Sequence, residues 1–432
     1  KIKKINKNIT TESEKSISHR SLLIASQCIG VSSLSNVLES EDVKNTIICL
    51  KKLGVKVTKN KNYCEINGKG LNSFSFNNNT IINCQNSGTL SRLICGVLAK
   101  SIKSVILKGD QSLSKRDFSR IIKPLNLFGV KTKLKKNRLP LKITGTDFLR
   151  PIEYDELRGS AQVKSCLLFC ALNTPGITKI RAVPSRDHTE RLFKFLNIPI
   201  KIRREKKFDI IKIRGENQYN GFDYKIPGDI SSSAFFIVLT LLSKNSKILI
   251  KNVNVNKSRT GIIDILKKMN ANIRLINKKM YNGEDIADIF VKSGKSLKSI
   301  NCAKEMNSRA TDEFLLIFLV CAKAKGISYF NNIGELRHKE CDRLKFASNF
   351  LKMIGIKVKE TSNSLKIYGN PRLELNGNYE IKNYIKDHRV CMMSCIAALA
   401  LGGTWKIHDS ESINTSFPKF FSKLKSLGAK IN

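Results

Sequence analysis

Leu53-Gly54-Val55-Lys56-Val57 is the stretch from which the fold can be read. A helix-like apolar periodicity runs into Leu53. Gly54 then offers the left-handed backbone that ends a helix, and the next residues alternate apolar and polar as a half-buried strand does. The same corner returns at Phe128-Gly129-Val130, Leu196-Asn197-Ile198-Pro199-Ile200, Met269-Asn270-Ala271-Asn272-Ile273, Ile354-Gly355-Ile356-Lys357-Val358 and Leu427-Gly428-Ala429-Lys430-Ile431. Corners spaced 68 to 85 residues apart imply six copies of one α/β unit, three to a domain. Each copy holds more than one helix; Ser87–Ala99 and Arg116–Phe128 both look helical within the second. Mixed sheets of α+β character are therefore expected rather than a simple doubly wound fold.

The chain has 432 residues, 41% of them hydrophobic, enough to bury a core. Its longest apolar runs, such as Ala234–Leu242, fall far short of the roughly 20 residues of a membrane span. Its formal net charge is +42. The lysines are scattered and no aromatic residues interleave with them, so A- and T-rich coding explains the charge better than a nucleic-acid surface. None of the 12 cysteines forms a C-x-x-C pair. Cys166/Cys170 and Cys391/Cys395 sit four apart in apolar helical segments and read as buried, reduced thiols. That pattern points to a reducing compartment, most simply a cytoplasm. No apolar h-region of a secretory signal opens the sequence.

Polar residues gather in short strings at helix starts: Lys15-Ser16-Ile17-Ser18-His19-Arg20 before an apolar Leu22–Ile29 helix capped by Ser16 or Ser18, Asn86-Ser87-Gly88-Thr89 with Arg92, Gly109–Arg116, Gly159–Ser165, Ser185–Arg191 and Pro227–Ala234. Three more follow, at Thr311-Asp312-Glu313, Arg337–Arg343 and Asp387-His388-Arg389. Nine of the 20 arginines lie in or beside them, in a chain otherwise biased to Lys. Arginine at a helix start recognises phosphate or carboxylate. The strings thus predict a site for two anionic small molecules, with Asp312 and Glu340 as proton-transfer groups among cations. No histidine shares a recognised ligand spacing with another histidine or a carboxylate, so no metal is expected. Asp42 reads as a helix-start carboxylate, and Arg120 and Arg191 as ion-pair or surface residues.

In this order, the strings resemble those of the 5-enolpyruvylshikimate-3-phosphate (EPSP) synthase family, from Lys15 to Gly428. Leu172–Thr178, Asn282–Asp288 and Thr415-Ser416-Phe417-Pro418 are similar to its class II bacterial subgroup. The resemblance implies two similar domains, each of three βαβαββ units, with the active site in the cleft between them. The implied boundaries are 1–13 with 230–432 for one domain and 14–229 for the other. The implied reaction moves the enolpyruvyl group of phosphoenolpyruvate to the 5-hydroxyl of shikimate 3-phosphate and releases phosphate, without cofactor or metal. A cytoplasmic monomer with no nucleic-acid or membrane partner is expected.

Carried over by motif, Lys15, Ser16, Arg20, Ser160, Ala161, Gln162, Ser185, Arg186, Asp312 and Lys339 would hold shikimate 3-phosphate. Lys15, Asn86, Gly88, Thr89, Arg116, Gln162, Arg343 and Arg389 would hold phosphoenolpyruvate. Lys15, Asp312, Glu340 and His388 would be catalytic, Asp312 as base and Glu340 as proton donor to carbon. His338, Ser87 and Thr415 depart from the commonest family residues at their positions. Gly88, where glyphosate-tolerant members often have Ala, implies a glyphosate-sensitive enzyme. The sibling enolpyruvyl transferase acting on UDP-N-acetylglucosamine is the nearest alternative. It usually carries a reactive Cys in the loop matching Gly109–Arg116, and this sequence has no Cys between Cys95 and Cys166. A basic nucleic-acid-binding protein is the alternative of a different class.

Overall fold

All six corner residues adopt the left-handed backbone in the computed structural model, which describes residues 1–431: φ is 83° at Gly54, 104° at Gly129, 55° at Asn197, 70° at Asn270, 80° at Gly355 and 95° at Gly428. After five of them comes an edge strand that pairs with the strand following it in sequence. Lys56–Asn60, for example, runs antiparallel to Tyr63–Lys69, and Lys131–Lys135 to Arg138–Thr144. The sixth corner departs from the expectation. Ala429–Ile431 forms no strand.

Five sheets have four strands in one repeating order, and the sixth has two. In the sheet of Thr80–Asn83, Ser104–Lys108, Arg138–Thr144 and Lys131–Lys135 the first pair is parallel and the other two antiparallel. The helix Gly88–Val97 makes its crossover, as a parallel pair requires. Glu153–Glu156, Ile177–Ala182, Asp209–Arg214 and Ile200–Arg204 repeat the order around the helix Ala161–Leu172. In two sheets the parallel partner comes from far along the chain: Asn6–Thr10 beside Lys247–Asn254, and Asp223–Lys225 beside Ile29–Ser35.

The chain divides into two compact units, one of Ser13–Ile226 with Asn282–Glu284, the other of Lys1–Glu12, Pro227–Tyr281 and the chain from Asp285 onward. Each has its own apolar core. Helices apolar on every side run through them and are buried throughout, such as Ile230–Leu242 and Phe314–Ala322. All twelve cysteines are buried thiols. Among the described residues no helix is long and apolar enough to cross a membrane.

Two helix boundaries differ from the sequence reading. The first helix is Lys15–Ala25, and Ile29 opens a strand instead of closing the helix. Its cap is Glu14, whose carboxylate accepts the Ser16 N–H, while the Ser18 hydroxyl donates back to the Glu14 carbonyl at 3.0 Å. Farther on, the helix expected from Arg116 starts at Ser119. A short helix Gln111–Ser114 is followed by Ser119–Phe128, and Asp117 accepts the Ser119 N–H and hydroxyl at 2.8 Å in the break.

Candidate active site

In the unit containing Ser13–Ile226, the helices Lys15–Ala25 and Ala161–Leu172 both pack on Gly88–Val97. Gly96 permits the second contact: a Cβ there would lie 2.0 Å from the Cys166 carbonyl oxygen. The approach lets Gln162 Nε2 donate to Thr89 Oγ1 at 3.2 Å, joining two of the predicted strings. Ser87 and Ser160 cap their helices by accepting the Leu90 and Val163 N–H groups, at 3.2 and 3.3 Å. Each hydroxyl keeps its own proton to donate elsewhere.

Around these helix starts the cations are positioned individually. Lys15 Nζ lies 2.9 Å from Asp42, in the first turn of the helix Glu41–Lys52. Arg20 is buried and donates to Thr189 Oγ1 at 2.7 Å, the Ser16 carbonyl at 2.9 Å and Ser165 Oγ at 2.8 Å. Burial first, then the Lys15 and Arg20 charges, hold the His19 imidazole well below its ordinary range, and its Nδ1 lies 2.7 Å from Thr46 Oγ1. Arg92 and Arg116 both reach toward Gly88, and a Cβ there would meet their Nη1 atoms at 2.7 and 2.9 Å. Asn86 donates to Asp110 at 2.7 Å. Ser185 Oγ is buried and has no hydrogen-bond partner among the described residues. Arg186 follows it half-buried, and Arg191 pairs with Asp187 at 3.2 Å.

The other unit gathers Asp312, Lys339, Glu340, Arg343, His388 and Arg389. Asp312 stands 3.6 Å from Lys339 and 3.7 Å from both Arg343 and Arg389. Arg389 also donates to the Asp312 carbonyl at 3.1 Å. Glu340 accepts from Arg343 Nη2 at 2.6 Å. Arg343 is almost wholly buried. Burial disfavours its charge, but Asp387, then Glu340 and Asp312, outweigh that and hold the guanidinium protonated well beyond its ordinary range. Its Nη1 is buried and has no hydrogen-bond partner among the described residues. His388 and Arg389 open the helix His388–Leu401. His338 ends a short 3₁₀ helix and is exposed, while Thr415 ends another and donates to the Ser412 carbonyl at 2.8 Å.

An arginine ringed by three carboxylates, with one buried nitrogen that makes no hydrogen bond, is a place for an anion that must gain or lose protons. The family model for EPSP synthase (3-phosphoshikimate 1-carboxyvinyltransferase) matches residues 1–424. The chain belongs to the EPSP synthase family. It is 38% identical over 431 residues to the 3-phosphoshikimate 1-carboxyvinyltransferase of Petrotoga mobilis, covering 98% of each chain. It is also 38% identical to that of Ruthia magnifica, over 97% of this chain and 94% of the other. The solved EPSP synthase of Acinetobacter baumannii superposes with a TM-score of 0.85 at 32% identity, over 99% of this chain and 96% of the other.

For an EPSP synthase, the sequence reading left out the residues behind the arginines. Asp387 accepts from Arg343 Nε at 2.8 Å and Nη2 at 3.1 Å, and from the Arg389 N–H at 3.0 Å. Its place one residue before a helix was the available signal, since Asp is a favoured N-cap. Ser165 and Thr189, 2.7 Å apart, do the same for Arg20. Nothing in their spacing announced that.

Proposed function

We propose that this enzyme makes its product, the enolpyruvyl ether of shikimate 3-phosphate, with the residues that the motifs single out. The observation that carries the assignment of roles is Nη1 of Arg343, which makes no hydrogen bond and lies 3.7 Å from Asp312, with Glu340 on the adjacent Nη2. Phosphoenolpyruvate carries two anionic groups. Arg343 and Arg389, with Arg116, Lys15 and the polar groups at Asn86, Gly88, Thr89 and Gln162, would bind them. Shikimate 3-phosphate would be held by Lys15, Ser16, Arg20, Ser160, Ala161, Gln162, Ser185, Arg186, Asp312 and Lys339.

Addition comes first. Asp312 takes the proton of the 5-hydroxyl as its oxygen bonds to C2 of phosphoenolpyruvate, and Glu340 protonates C3. The result is a tetrahedral ketal with a methyl group. Elimination then breaks the C2–O bond to phosphate, which leaves with the electron pair, while a methyl proton is removed and the double bond returns. Lys15 and His388 would assist proton transfer. Lys339, Arg343 and Arg389 surround the Asp312 carboxylate at 3.6 to 3.7 Å, where the substrate hydroxyl would meet it. We read the chain as a cytoplasmic monomer without nucleic-acid partner, its positive charge being dispersed lysine. Steady-state phosphate release with each substrate varied, on wild type and on Asp312→Asn and Glu340→Gln, tests the roles. Full activity in either variant would remove that residue from the mechanism.

A further inference from the structure

Lys164 and Glu190 are both fully enclosed, with Nζ 2.6 Å from the carboxylate, and the predicted site uses neither. They join the helix Ala161–Leu172 to the helix His188–Phe195. One residue along, Ser165 and Thr189 make a second tie between the same helices and together hold Arg20. Glu156 lies on the other side of the first helix start. It accepts the Ser160 N–H at 2.9 Å and the Arg158 N–H at 3.2 Å. Burial pushes the Glu156 and Asp209 carboxyls up, and the Lys164 ammonium pulls both back. Lys164 thus pairs with Glu190 and acts electrostatically on Glu156 and Asp209, and two of these carboxylates sit at the ends of segments carrying predicted ligands: Ser160–Gln162 beside Glu156, and Ser185–Arg186 ahead of Glu190.

A buried ion pair is a poor device for stability, since well-packed apolar residues of similar volume often do as well or better. Its distinctive property is that it fixes geometry, because neither charge tolerates separation. We infer that Lys164 and Glu190 are a positioning pair that sets the helix bearing Ser160–Gln162 against the segment bearing Ser185–Arg186, and so controls affinity for shikimate 3-phosphate rather than the chemical step. The inference rests on the reading of those residues as shikimate 3-phosphate ligands.

The test is the double variant Lys164→Met/Glu190→Leu, assayed with each substrate varied in turn and melted beside wild type. We expect a melting temperature near that of wild type and a KM for shikimate 3-phosphate raised about tenfold or more, the scale of ligand groups displaced by a fraction of an ångström. The KM for phosphoenolpyruvate and kcat should stay within about threefold, since of the phosphoenolpyruvate residues only Gln162 stands on these two helices and Thr89 also holds it. If the double variant does not fold, Glu190→Gln decides, because Lys164 keeps Glu156 and Asp209 as counter-charges; the same selective rise is expected. An unchanged KM for shikimate 3-phosphate, or equal rises for both substrates, would overturn the inference while wild type remains active. A wild-type enzyme whose phosphate release does not depend on shikimate 3-phosphate would overturn the underlying reading, and this inference with it.

Discussion

Asp387 grips Arg343 through two of its nitrogens, Nε at 2.8 Å and Nη2 at 3.1 Å, and both side chains are buried. With Glu340 also on Nη2, Nη1 is the nitrogen left without a hydrogen bond, 3.7 Å from Asp312. Asp387 therefore decides which way the guanidinium faces. Removing its charge leaves Arg343 buried beside one carboxylate fewer. Asp387→Asn should raise the KM for phosphoenolpyruvate by at least about tenfold and cost about 3 kcal/mol of stability, the scale of a broken buried pair. Denaturant unfolding and initial rates check the two effects separately.

The same pair has a pH signature. Burial alone would raise the Asp387 carboxyl, but Arg343 outweighs it and holds it below the ordinary carboxylate range. A carboxylate with a depressed folded pKa contributes stability that is fully present above its unfolded value, near 3.9, and lost as pH falls through the folded one. Wild type should lose stability progressively below about pH 4. Asp387→Asn should start less stable and lose less over that window. Parallel melting curves for the two proteins across pH 2–5 would contradict it.

Gly96 is a packing requirement. The nearest atoms to an added Cβ are backbone atoms of Cys166 and Cys170, which cannot swing aside. Gly96→Ala should destabilise by about 1–3 kcal/mol. It should also part Gln162 from Thr89 and lower kcat/KM for both substrates. A melting temperature equal to wild type would show that the two helices can separate freely.

At Gly88 the obstruction differs in kind, since an added methyl meets side-chain ends, closest those of Arg92 and Arg116, and no backbone. Gly88→Ala should fold normally and raise the KM for phosphoenolpyruvate several-fold. It should weaken glyphosate inhibition by a larger factor. Inhibition constants measured on both proteins settle this; equal values would dismiss a phosphoenolpyruvate pocket at Gly88.

Much of this architecture is written locally. Helix-ending Gly54, Gly129, Asn197, Asn270, Gly355 and Gly428 are legible because a left-handed residue after an apolar helix is a local requirement, met within five residues. The first helix was misplaced because its serines look like caps, whereas the acceptor is Glu14. The break at Asp117 is likewise a side chain competing with the helix. What could not be read is what lies between distant segments. Asp387 and Arg343 are 44 residues apart, and Arg20 and Thr189 are 169 apart. A motif names the arginine that touches a ligand, while the residue aiming it is chosen by the fold.

Phosphate release from phosphoenolpyruvate, measured on the purified chain with chelator present and with shikimate 3-phosphate, UDP-N-acetylglucosamine or no acceptor, tests the proposed reaction most directly. Release should require shikimate 3-phosphate and fall by a factor of about 10² or more in Asp312→Asn, as expected for loss of a general base. Release with the sugar nucleotide alone, or an Asp312→Asn variant as fast as wild type, would contradict it.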